Sequence, residues 1–158
     1  MNDIWKDIGA EIPYYMKKIC EKYNMRCEKL SDYDTVIYNN NCCLIIQIGR
    51  FDIGLLYVFK EKEKVYAYEC GIFFAMRFNN EDMKGVIKEE KAGDSVKNYL
   101  QIFANGLISK CEDVLSGNKD WIGKYKQSSR YSETILSPQV VKALEEKQCF
   151  SMIKKNQK

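Results

Sequence analysis

Apolar residues at the start of the chain recur at Trp5, Ile8, Ile12, Tyr15 or Met16, Ile19 and Tyr23. Steps of three and four draw one stripe on a helix. Pro13 interrupts it, because proline in mid-helix loses a backbone hydrogen bond, so the helix kinks or restarts there. Gly9 and Ala10 just before it favour a break. The period then shortens. "TVIY", "CCLIIQI", "FDIGLLYVF" and "VYAYE" are brief runs of apolar and β-branched residues, the pattern of strands. Asn39, Asn40 and Asn41 separate the first two, "GRFD" the next two, and "KEKEK" (Lys60 to Lys64) the last two. Asparagine tolerates left-handed turns, and the lysine–glutamate run reads as a solvated hairpin loop. Connections this short cannot carry parallel crossovers, so about four strands should form an antiparallel meander. A further strand around Met25 to Lys29 is expected at its edge.

Helical signals return after the sheet. "CGIFFAMRF" reads as a short helix, and "NNEDMKG" and "VIKEEKAGD" as loop. Asp94 or Ser95 is the expected cap of a long helix with Val96, Leu100, Phe103, Leu107, Cys111 and Val114 on one face. Gly106 inside it costs about 1 kcal/mol against alanine and marks close packing. Gly117 supplies a left-handed residue to end it. Ser137 and Pro138 open a last short helix reaching about Glu146. The expectation is one α+β domain over residues 1–150, with the N-terminal helix and the long C-terminal helix packed on one face of the meander. Residues 151–158 read as a frayed tail.

Composition narrows the class. The 158 residues carry 25 basic and 22 acidic side chains, a net charge of +3. That balance lacks the clustered basic face of a nucleic-acid binder. The most apolar stretch, Cys42 to Phe59, is broken by Gln47, Gly49, Arg50 and Asp52, so no membrane span is expected. The amino terminus lacks the basic-then-apolar order of a signal peptide. The seven cysteines, an odd number mostly set in apolar runs, read as free thiols. Together these point to a reduced, cytoplasmic protein.

Chemistry is limited by the absence of histidine. Serine–histidine and cysteine–histidine nucleophiles are excluded, as is any zinc site that needs imidazole. Neither Cys-x-x-Cys nor a glycine-rich phosphate loop occurs, so no metal and no cofactor is expected. Carboxylate catalysis stays open through Glu69 or Asp52 at strand ends. "KYKQSSRY" (Lys124 to Tyr131) interleaves tyrosines with basic residues, as single-strand binders do, but Glu112, Asp113 and Asp120 dilute it.

One stretch stands out, "VLSGNKDWIGKYK" (Val114 to Lys126), with two large aromatics just past a helix end. Leu115, Gly117, Trp121, Ile122 and Tyr125 form Leu-x-Gly-x-x-x-Trp-Ile-x-x-Tyr, and "YECGIFFAMRFNNED" (Tyr68 to Asp82) adds a looser match. With the element order, this resembles small bacterial immunity-type proteins encoded beside polymorphic or contact-dependent toxins. Asn118 and Asp120 stand where that pattern has an acidic and a small or hydroxyl residue. The resemblance implies a non-catalytic protein that neutralises a cognate toxin domain by tight binding. Trp121 and Tyr125, four apart, are expected to pack back on Val114 and Leu115. Charged loops are then the candidate contacts: Glu81, Asp82, Glu89, Glu90 and Asp94 before the long helix, and Arg50 and Asp52 at the turn after the second strand. Against a nuclease such carboxylates would fill phosphate-binding groups. A small carboxylate- or thiol-dependent enzyme and a nucleic-acid-associated regulator are the alternatives.

Overall fold

The structure is a computed structural model that describes residues 3–147 and 149; the tail expected at 151–158 lies outside them. Three short helices lead the chain: α1 (Ile4–Ala10), α2 (Ile12–Tyr15) and α3 (Lys17–Tyr23). Asp3 caps α1 by accepting from the Trp5 and Lys6 amides, and Pro13 restarts the helix at the head of α2. Asn24, left-handed at φ 52, ends α3 and turns the chain into the sheet.

The sheet has six strands, not four. They are β1 (Arg26–Lys29), β2 (Asp34–Tyr38), β3 (Cys43–Ile48), β4 (Ile53–Glu61), β5 (Lys64–Glu69) and β6 (Glu133–Ile135). All pair antiparallel in chain order. The edge strand expected near Met25 is β1. Unforeseen is β6, three residues long, which returns from far along the chain to pair Ile135 with Tyr66. So short a strand holds no alternation to read. The asparagine turn also works differently from expectation. Non-glycine left-handed residues are Asn24 and Lys62 among the described residues, and Asn39 instead accepts the Asn41 and Cys42 amides on its side chain.

Both faces of the sheet are covered, which explains the nearly unbroken apolar runs. Ile37, Leu44, Ile46, Leu55, Tyr57 and Tyr68 face the main core. Over them lie α1 to α3 and α4 (Gly71–Ala75), α5 (Asp94–Lys110), α6 (Glu112–Leu115) and α7 (Trp121–Gln127). Val36, Tyr38, Ile45, Leu56, Val58 and Ala67 face the other way, against Val140, Val141 and Leu144 of α8 (Pro138–Glu146). The first and long helices therefore share a face as expected, but the long helix is not C-terminal. It stops at Lys110, and Gly117, at φ 89, ends α6 instead. Its cap also differs. Gly93 precedes it, and the Asp94 carboxylate turns back to the loop.

Gly106 is the close approach anticipated from its place in the helix. A Cβ there would lie 2.4 Å from the Phe78 ring, which packs edge-on against Phe103 at 5.3 Å. Gly106→Ala forces that ring away. The gain of about 1 kcal/mol in helix propensity offsets the clash only in part. A net loss of about 1–2 kcal/mol is expected by urea denaturation.

Candidate functional site

The Leu115 to Tyr125 motif belongs to the interior. Leu115 and Tyr125 are fully buried and Trp121 is 3% exposed; Ile122 is half-buried against the same core. The Trp121 ring meets Tyr57 edge-on at 4.9 Å and Phe74 at 5.1 Å. The aromatics thus clamp α7 to the sheet and to α4, in addition to lying in one core with Val114 and Leu115. Gly117 sits where a Cβ would strike Asn41 at 2.8 Å. The Tyr125 hydroxyl accepts from the Ser132 amide at 2.9 Å and shares its one proton between the carbonyls of Ser132 (2.9 Å) and Glu69 (3.1 Å). That clip pins the chain after α7 to the end of β5.

A groove opens beside the clip. Its volume is about 570 Å³, and β4, α4, α5 and the Ser129–Ser132 segment wall it. Its floor is a strand end that outruns its neighbour. β5 stops at Glu69 opposite Leu56, while Ile53, Gly54 and Leu55 continue beside β3. The Ile48 amide bonds to Tyr33 on the β2 side. Alternation therefore turns Gln47 and Gly54 towards each other and aims the main-chain groups of Ile53 and Leu55 the opposite way. The Cys70 amide reaches the Leu55 carbonyl at 3.2 Å. Beyond it, no strand among the described residues runs beside Ile53.

Exposed apolar side chains stand on the groove wall and on the elements that flank it. Phe51 is 71% exposed, Met76 70%, Ile72 60% and Tyr99 43%. Ile72 and Tyr99 line the groove directly. Met76 lies one helical turn beyond Ile72, and the Phe51 carbonyl accepts from Ser95, one turn before Tyr99. Exposed apolar side chains at the mouth of a groove suit a contact surface. The charged side chains in the lining are Asp52, Glu69 and Arg130, two acids to one base.

The sequence-expected contacts fall in three environments. Asp52 is exposed and lines the groove. Arg50, at the same turn, lies near the Phe51 ring and accepts from the Trp5 indole on its carbonyl. Glu81, Glu89 and Glu90 are exposed elsewhere; Glu81 lines a separate groove of about 420 Å³ with Lys17, Lys18 and Lys84. Asp82 and Asp94, 2% and 3% exposed, are interior groups that cannot meet a partner. Asp94 accepts from the Glu90 and Lys91 amides at 3.0 Å each, which hold its carboxyl below the usual carboxylate range. Asp82 accepts from Ser109, from the Asn79 amide at 2.9 Å and from Lys110 at 3.4 Å. The loop carboxylates therefore do not gather into one patch, because two of them tie the loop to α5.

The remaining chemical candidates are occupied similarly. Glu69 accepts from the Ser132 hydroxyl at 3.0 Å. Burial pushes the Cys42 thiol up to about 12 and the Cys111 thiol to about 11, so both stay protonated at neutral pH. In "KYKQSSRY", Tyr125 is buried and Tyr131 packs edge-on against Tyr68 and Tyr125, so these rings are engaged within the protein. No helix among the described residues is long and apolar enough to cross a membrane.

Sequence reasoning missed the exposed apolar side chains because Ile72, Met76 and Tyr99 look like core residues. The signal was available in spacing. Tyr99 falls off the buried stripe of α5, and Ile72 and Met76 lie four apart on the side of α4 away from Phe74. No family model, curated protein or solved structure matches this chain.

Proposed function

We propose that the protein is a non-catalytic binding module of the immunity type, which neutralises a toxin domain by holding it in the groove beside β4. The observation that carries this reading is the pair of exposed apolar side chains Ile72 and Tyr99 lining a groove beside an open strand end. The chemistry of the site suits an extended segment of the partner. Such a segment can pair its main chain with Ile53, as in strand addition. Its apolar side chains would lie on Ile72 and Tyr99, and a basic residue would meet Asp52 and Glu69. Asp52 keeps its place as a contact residue in this reading, while Asp82 and Asp94 support the scaffold.

The test is growth with the polypeptide encoded beside this gene, expressed alone and then with this protein. Relief of growth arrest and a co-purifying one-to-one complex are expected. Ile72→Glu and Tyr99→Asp should each weaken that complex at least tenfold, about 1.4 kcal/mol, while the circular dichroism spectrum stays unchanged. Arrest that this protein leaves untouched would discard the pairing, and full affinity in both variants would move the interface elsewhere.

A further inference from the structure

Helix α5 carries a groove on each side. Tyr99 and Phe103 line the one beside β4, whereas Gln101, Ala104, Asn105, Ile108 and Ser109 line another, of about 420 Å³. At about 100° per residue, the two sets point in nearly opposite directions around the helix. Ala104 and Ile108, one turn apart, give the second groove an apolar strip. Tyr14 and Tyr15 of α2, Lys17 and Lys18 of α3, and Glu81, Asp82 and Lys84 complete it. Its three lysines thus come from two stretches of chain that only the fold brings together. All three are exposed, and none pairs with a carboxylate among the described residues. The acids oppose them weakly. Asp82 is buried and its charge is met by Lys110 at 3.4 Å, which leaves Glu81. The backbone under the lysines is held in place. Asn105 donates to the carbonyls of Asp82 and Lys84 at 2.9 and 2.8 Å, so α5 fixes the segment that carries Lys84. Met16, fully buried, anchors the chain just before Lys17 and Lys18.

We propose that this second groove docks an acidic segment of a protein partner. An apolar side chain of the segment sits on Ala104 and Ile108, and carboxylates on either side of it meet Lys17, Lys18 and Lys84. The excess of unpaired ammoniums selects the sign of the occupant. The rest of the lining selects its class. Among the described residues it holds no arginine and no glycine, so it lacks the planar fork and the amide nest that fit phosphate closely. Its apolar strip suits a peptide side chain, which a sugar–phosphate chain does not offer. Of its two rings, Tyr14 is exposed and Tyr15 half-buried, the pair meeting edge-on at 5.7 Å. One open ring is too few for the successive stacking that holds a single strand. The groove beside β4 is a separate surface, and this proposal stands whether or not a toxin domain binds there.

The experiment titrates the isotope-labelled full-length protein with a capped peptide, a leucine flanked on each side by paired glutamates, and follows backbone amides by NMR. Shifts should concentrate in Tyr14 to Lys18, Glu81 to Gly85 and Gln101 to Ser109. The same peptide with glutamine for glutamate should leave those amides unmoved, and added salt should weaken the binding. Lys17→Glu combined with Lys84→Glu should lower the affinity about tenfold. A peptide with lysine for glutamate should then bind that variant, an exchange of charge that a merely structural role would not produce. Both lysines are exposed, so the rest of the variant's spectrum should match wild type, and Lys18→Glu gives a second reading. No shifts at millimolar peptide, equal binding of the glutamine peptide, or full affinity in the charge-reversed variants would each overturn the proposal. So would a thymidine oligonucleotide that moves the same amides at lower concentration than the peptide, which would assign the surface to nucleic acid.

Discussion

Trp121→Ala is expected to remove about 3–5 kcal/mol of folding stability, a fall in Tm of roughly 10–15 °C for a chain of this size. The indole is 3% exposed and touches three different elements through Tyr57 of β4, Phe73 and Phe74 of α4 and Tyr125 of its own helix. Truncation opens a cavity whose lining belongs to rigid partners on both sides, so relaxation can recover little of it. The Trp121 indole nitrogen is buried without a hydrogen-bond partner, so the loss comes from packing. Trp121→Phe should therefore cost clearly less, about 1–2 kcal/mol. Urea denaturation of both variants measures the difference. An alanine variant within 1 kcal/mol of wild type would mean that α7 is held by something other than this cluster. The effect should reach the groove as well. α7 carries Tyr125, whose hydroxyl clips Ser132 to the end of β5, and Ser129 to Ser132 form one groove wall.

The readable parts of this fold are those where one physical effect dominates. Residues buried on a single helix stripe, such as Val96, Leu100 and Leu107, announce themselves by spacing alone. The same holds for β2 to β5, where apolar runs meet turns too short for crossovers. Gly106 and Pro13 were legible because each residue type has one strong preference. What stayed hidden depends on distant partners. β6 exists because β5 offers an edge to it, and a three-residue strand carries no period of its own. Asp82 and Asp94 look from the sequence like any loop carboxylates. Only the folding of the loop onto α5 places Ser109 and Lys110 beside one and two loop amides beside the other. The groove is the least legible feature. It arises from a difference in length between β4 and β5, and a register difference of that kind has no compositional mark. Exposed apolar residues and buried ones are the same letters.

Asp82→Ala should rank with Trp121→Ala, at about 2–4 kcal/mol. The Asp82 carboxylate joins the 3-10 turn Asn79 initiates (Asn80–Met83) to the end of α5. Alanine leaves the Asn79 amide and the Ser109 hydroxyl without their acceptor and strands the Lys110 ammonium, whose side chain is 25% exposed. Buried groups orphaned in this way cost more than the mean hydrogen bond contributes. The neighbouring Asn105 amide, bonded to the carbonyls of Asp82 and Lys84 at 2.9 and 2.8 Å, keeps the turn attached and sets an upper limit on the loss. Asp82→Asn separates charge from shape and makes the effect titrate. Burial pushes the Asp82 carboxyl up, but the Ser109, Asn79 and Lys110 bonds outweigh it and hold the group below the usual carboxylate range. A depressed native pKa contributes stability that is present above the unfolded value, about 3.9, and is lost as pH falls through the folded one. The stability gap between wild type and Asp82→Asn should therefore hold steady from neutral pH to about pH 5 and narrow below about pH 4. Asp113 shifts in the same direction, held down by Arg77 against its own burial, but it is common to both proteins and cancels in the difference. Denaturation of the pair at several pH values measures the gap. A gap that is constant to the lowest pH at which both fold would show that the carboxylate acts there by shape alone.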